Sequence, residues 1–179
     1  NNLFKSSNLI YHTNQVRDAL HDISTSLLEA ETNMRAFYLT RDSSILQRRD
    51  KALIMLESAQ YKLDSLVSGN EKQMQNMAQL YQAIGEKKKS IRTNFIEGIA
   101  LQVPSSLKGN IEEGVRQMDN VSTLLKEMNS EESTLLEQRT LRYTRLSLIA
   151  PFYIIVLFLG ALLILFFSYF KLNKELLKS

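Results

Sequence analysis

Residues 9–37 read LIYHTNQVRDALHDISTSLLEAETNMRAF. Within them Leu9, Thr13, Val16, Leu20, Ile23, Leu27, Ala30, Met34 and Phe37 recur at alternating steps of four and three, and all but Thr13 are apolar. Such spacing keeps one stripe of a helix turned toward a partner, so the stretch predicts one long bundle helix. Thr13 on that stripe resembles a register-setting polar residue, although a threonine hydroxyl is buried cheaply by bonding to its own helix backbone.

Working outward, Thr40-Arg41-Asp42-Ser43 supplies a stop, with Asp42 or Ser43 able to cap the next helix. The pattern resumes through Ile45, Ala52, Leu56, Ala59, Leu63 and Leu66 until Gly69-Asn70 ends it. A third helix carries Met77, Leu80 or Tyr81, Ile84, Ile91 and Phe95 on one side and stops before Pro104, because the residue ahead of a proline is pushed out of the helical region. A fourth starts between Ser105 and Asn110 and uses Ile111, Val115, Met118, Leu125, Met128, Leu135 and Leu146, with no breaker before Pro151. At 1.5 Å per residue, helices over roughly 5–40, 43–68, 71–100 and 110–147 are about 54, 39, 45 and 57 Å long. Short connections make neighbours antiparallel. The expected fold is all-α, an elongated up-down-up-down four-helix bundle that continues into a transmembrane helix and returns Asn1 to the membrane end.

That last helix is LIAPFYIIVLFLGALLILFFSYF, Leu148–Phe170, without a formal charge. About 20 apolar residues cross a hydrocarbon core of about 30 Å, and a helix apolar on every face suits lipid. Tyr153 and Tyr169 lie near its ends, where aromatic rings favour the headgroups. Pro151 cannot donate to the Ser147 carbonyl; it is either a hinge between outer and membrane helices or a proline tolerated in a first turn. Three domains are expected: 1–147 outside the lipid, 148–170 within it, and 171–179 as the start of a signalling helix. Arg139, Arg142 and Arg145 before the span balance Lys171, Lys174 and Lys178 after it, so the positive-inside rule does not choose an orientation. The chain opens on Asn1 and closes in KLNKELLKS. A first membrane helix ahead of it and an output domain after it would both fit this geometry, and the chain is expected to be an excerpt.

Composition excludes several classes. Residues 1–147 hold 19 Lys/Arg against 18 Asp/Glu, so no clustered basic face offers a nucleic-acid site. Cysteine is absent, which removes disulfides, thiolate metal sites and cysteine nucleophiles. Six glycines and two prolines do not suit a turn-rich β fold. There is no Ser/His/Asp order, phosphate loop or metal-ligand spacing. His12 and His21 project from opposite helix faces, and Lys87-Lys88-Lys89 reads as a solvated face. No cofactor, no metal and no catalysis are expected of this chain; chemistry in a parent protein would lie beyond Ser179.

The segment Glu29–Asp42, EAETNMRAFYLTRD, resembles the signature of the third CHASE subtype, the extracytoplasmic sensory domains of histidine kinases and cyclases. That family typically reads acidic-Ala-Glu-Thr-Gly-x-Arg-Gly-Tyr-Leu-Leu-Thr-Gly-Asp. Glu29, Ala30, Glu31, Thr32, Arg35, Leu39, Thr40 and Asp42 match, while Asn33, Ala36 and Arg41 replace glycines and Phe37-Tyr38 replace Tyr-Leu. His12-Thr13-x-x-Val16, Asn70 with Gln73, Gly114-x-x-x-Met118-Asp119 and Glu131-Glu132-x-x-Leu135-Leu136-x-x-Arg139 follow in family order, so the resemblance covers about 8–147. Each of these replacements tolerates a helix better than glycine does. The resemblance implies that 1–147 lie outside the cytoplasmic membrane and Lys171 onward inside.

Five residues are candidates for ligand binding: Glu31, Arg35, Tyr38, Arg41 and Asp42. Glu31 and Arg35 are one turn apart, which suits a ligand clamp with a planar guanidinium fork or an intrahelical ion pair completed by a neighbouring helix. Tyr38, Arg41 and Asp42 cluster at the first turn as a contact surface or as a helix stop and cap. Glu132, Arg139 and Pro151 are candidates for signal relay; Glu132 and Arg139 fall on the stripe facing other helices, as a register-fixing polar layer or as a bundle opening near lipid. The expected function is the sensor and membrane-crossing part of a bacterial signal-transduction receptor, foremost a histidine kinase. A chemotaxis-type receptor, a cyclase or a non-sensing scaffold are the alternatives. Expected partners are a second copy of the chain, membrane lipid and a small-molecule or protein stimulus, with no nucleic acid.

Overall fold

The computed structural model describes residues 2–100 and 105–176. It is all-helical: α1 (Asn2–Thr40), α2 (Ser44–Val67), α3 (Glu71–Ala100) and α4 (Ser105–Leu176). The expectations placed on Phe95, Ile111 and Leu146 concern side chains outside the described ones.

The chain forms two compact units. The first combines Asn1–Ile10 with Glu137–Ser179; in it the Arg139 guanidinium donates to the Leu9 carbonyl at 3.0 Å. It also holds a 19-residue apolar stretch, Pro151–Tyr169, long enough to cross a membrane and wholly unburied by protein. At 1.5 Å per residue that stretch is about 29 Å long. α4 runs through Pro151 without interruption.

The second unit, Tyr11–Leu136, is the bundle. Its pairings run in opposite numerical directions, as antiparallel neighbours require. His12 Nε2 meets the Leu66 carbonyl while Asp22 pairs with Lys62. The Tyr81 hydroxyl donates to the Gln60 carbonyl at 2.5 Å, and Lys88 reaches Glu57. Gln73 bonds Glu132 while Lys87 bonds Gly114, and Arg17 bonds Asn129. Burial pushes the Tyr81 phenol up to about 12, so it stays protonated as the donor that ties α3 to α2.

The core is the α1 stripe from Val16 to Phe37 with Ala52, Leu56, Ala59, Leu63 and Val67, then Met77, Leu80, Ile84 and Ile91, then Val121, Leu125 and Met128. Thr13 is fully buried on that stripe. Three expectations need correction. Leu9 is 42% exposed, while Ser6, three residues ahead of it on α1, is the buried one at 5%. Val115 is 43% exposed because the inward row of α4 passes through Gly114, Met118, Val121 and Leu125, one residue over. Lys87 is not on a solvated face but is 2% exposed: on α3 it continues the four-three row of Gln73, Met77, Leu80 and Ile84.

The turns are chemically explicit. Asn70 accepts the Gln73 N–H at 3.2 Å, capping α3. Gly69 takes no left-handed conformation; the Asn70 N–H closes that turn on the Val67 carbonyl. Ser43 makes no side-chain cap, and Asp42 serves instead, its carboxylate accepting the Ser44 N–H at 2.8 Å. That bond holds the Asp42 carboxyl below its usual range. Its contribution is therefore complete above the ordinary carboxylate value and fades as pH falls through the lowered one.

Arg41, standing where the family has glycine, has φ 57° and donates its N–H to the Phe37 carbonyl. This is the left-handed residue that commonly follows a helix end, where glycine carries no Cβ penalty. The advantage that a replacement has inside a helix does not apply to Arg41, because the position lies outside α1. Arg41→Gly should exceed Arg41→Ala in stability by about 1 kcal/mol, compared by urea unfolding of the two variants. Equal midpoints would remove the left-handed assignment. Both variants lack the guanidinium, so its contacts cancel.

Candidate functional site

The row that makes α1 a bundle helix turns Ala30 and Met34 inward. Glu31, beside them, is carried to the junction of α1, α3 and α4, where it is 7% exposed. Its Oε1 accepts from Lys87 Nζ on α3 at 2.7 Å and from Arg35 one turn along α1 at 2.7 Å. Lys87 Nζ donates also to the Gly114 carbonyl on α4 at 2.7 Å. Three helices therefore meet at one buried ammonium. A Cβ at position 114 would lie 3.4 Å from that nitrogen and 3.8 Å from the Glu31 carboxylate, ordinary contact distances, so position 114 packs directly on the ion pair.

A second polar layer lies about 27 Å along α4, eighteen residues on. Here Glu132, 4% exposed, accepts from Gln73 Nε2 at 2.8 Å. Beside it, Glu131 takes Asn76 Nδ2 and the Lys72 ammonium. Both layers join α3 to α4 through buried groups, and such groups are held in one geometry because losing a partner is costly.

The five ligand candidates divide. Glu31 is committed inward, and Arg35, with its side chain about half exposed, covers the same carboxylate. The ion pair is thus completed by a neighbouring helix. Tyr38 is half-buried against Phe37, while Arg41 and Asp42 form the α1–α2 turn. Asp42 is eleven residues beyond Glu31, about 16 Å along a helix, so these residues make two places rather than one. Among the relay candidates Glu132 lies in the lower polar layer. Arg139 bonds the Leu9 backbone, and Pro151 opens the apolar stretch. Among the described residues no three His, Asp or Glu side chains gather as for a metal ion.

Sequence reasoning missed Lys87. Its signal was the four-three row, which asks for an inward residue between Ile84 and Ile91; the neighbouring lysines concealed it. Gly114 was noticed only as part of a motif.

Three of the four residues that build the first polar layer, Glu31, Arg35 and Gly114, stand in the motifs that carry the resemblance; Lys87 does not. The CHASE3 domain profile matches residues 6–142. The chain belongs to the CHASE3 family. CHASE3 domains are extracytoplasmic sensory domains, and here the domain is followed, among the described residues, by a candidate membrane span, which together describe a membrane-anchored domain outside the cytoplasm. No curated protein and no solved structure matches the chain. In this CHASE3 chain two of the family's glycine positions, Asn33 and Ala36, lie inside α1, where non-glycine residues favour the helix.

Proposed function

We propose that the chain is the input and membrane-crossing portion of a bacterial signal-transduction receptor, foremost a two-component sensor histidine kinase. On this reading 1–147 form the sensory domain, 148–170 cross the inner membrane, and 171–179 begin the cytoplasmic signalling helix of a homodimer. The observation that carries it is α4. The same uninterrupted helix, Ser105–Leu176, contributes Gly114 and Glu132 to the buried polar layers and then supplies the apolar stretch.

A stimulus acts by binding one packing of the helices better than another, which shifts their populations. Movement of α4 against α1 and α3 would then be passed along this helix as a small rotation or translation. Arg139 and Pro151 lie on that route.

The test is a set of insertions of one to four alanines after Gln138, an exposed position. The carrier is the chain fused ahead of the cytoplasmic half of a histidine kinase with a transcriptional reporter. Each alanine turns the downstream helix by about 100°. Reporter output should rise and fall with the helical period. Output that is flat across the series, at equal membrane abundance, would sink the relay and put a non-sensing scaffold ahead.

A further inference from the structure

Between α1 and α4, inside the bundle unit, lies an open groove of about 500 Å³. That volume is within the range of small-ligand sites. Arg17, Asp18 and His21 line it from α1; Leu125, Lys126 and Asn129 line it from α4. None of the ligand candidates read from the sequence is among them.

Two cations meet in this groove, Arg17 from α1 and Lys126 from α4. Lys62, Lys72, Lys87 and Lys88 each reach a carboxylate. Among the described residues, the terminal nitrogens of Arg17 and the ammonium of Lys126 reach none. Arg17 is nevertheless held: its Nε donates to Asn129 Oδ1 across the two helices at 3.2 Å. With Nε occupied, the two terminal nitrogens remain as donors on a half-buried, braced guanidinium. A guanidinium recognises a planar oxyanion through two parallel bonds, and prior bracing lowers the ordering cost of binding.

We propose that this groove binds a small carboxylate, gripped by the terminal nitrogens of Arg17 from α1 and by Lys126 from α4. Asp18 selects the class. A singly charged planar carboxylate is repelled less by it than a phosphate dianion of the same size, and the apolar flank of Leu125 suits a short carbon chain. Occupation ties α1 to α4, so the site would name the stimulus class of the sensor reading. It rests on that reading for its meaning, although not for the binding.

The experiment is isothermal titration of the full chain in lipid nanodiscs with acetate, butyrate and inorganic phosphate, against sodium chloride at matched ionic strength. Saturable binding of a carboxylate, tighter than phosphate, is expected. Arg17→Gln and Lys126→Gln, both leaving helical content unchanged, should each weaken it by about tenfold, as the loss of one charge-assisted bond would. No saturable carboxylate binding beyond chloride, preference for phosphate, or binding indifferent to both substitutions would overturn the proposal. The alanine-insertion series reports on the relay separately. Carboxylate binding beside a flat series would leave the groove and remove the sensor reading, and the converse would remove the groove alone.

Discussion

Lys87→Met should destabilise the bundle by about 3 kcal/mol, at the low end of the about 3–5 kcal/mol typical of breaking a buried pair. The loss has two parts. Glu31 is left without its cross-helix ammonium in a site that is 7% exposed, and the Gly114 carbonyl loses the donor now at 2.7 Å. The value sits low because Arg35 still holds the same carboxylate oxygen. Adding Glu31→Leu should recover most of the loss and bring the double variant to within about 1 kcal/mol of the parent, since an apolar pair of similar volume needs no compensation. Urea unfolding of the four members of this cycle, followed by circular dichroism, measures the coupling directly. Additive effects would mean that Glu31 and Lys87 do not share a site. A fully folded, stable double variant with altered reporter output would separate the pair's part in signalling from its part in folding.

The second large effect concerns lipid. Leu159→Arg places a guanidinium near the middle of Pro151–Tyr169, which has a mean hydropathy of 2.5 and no protein cover. Insertion should become less favourable by about 3–4 kcal/mol, the cost of Arg plus the lost contribution of Leu, which should lower the share of chain held in the membrane. Resistance to alkaline extraction, compared between parent and variant in membranes from expressing cells, reads this out. The bundle unit should be unaffected, because position 159 belongs to the other compact unit. Unchanged extraction resistance would count against a lipid-embedded span. Leu159→Phe, which keeps the segment apolar, should behave as the parent and guards against a purely local packing fault.

Much of the architecture is written in local periodicity. The α1 row was legible because eight of its nine positions, all but Leu9, are buried, and the Asp42 cap was legible because it acts within three residues of itself, whereas Asn70 read only as a helix stop. The site was less so. Glu31 meets Lys87 across 56 residues and Arg17 meets Asn129 across 112, distances over which nothing in the spacing of one helix reports on another. Lys87 also violates the expectation that a lysine belongs in water; it is tolerated because a carboxylate and a carbonyl receive it. Val115 misled for the opposite reason: an apolar residue beside a glycine looked like the inward position, when the glycine itself was.

The two polar layers have a consequence for how finely the domain can respond. Hydrogen bonds weaken steeply once stretched or bent, and Lys87–Gly114 and Gln73–Glu132 both fasten α4 to α3. A shift of α4 by a few tenths of an ångström leaves both intact and is pulled back. A shift past that limit releases them, and the helix settles wherever new partners exist. The pair of fastenings would therefore work as a latch with a threshold, discarding thermal jitter and passing on only displacements large enough to undo two buried contacts.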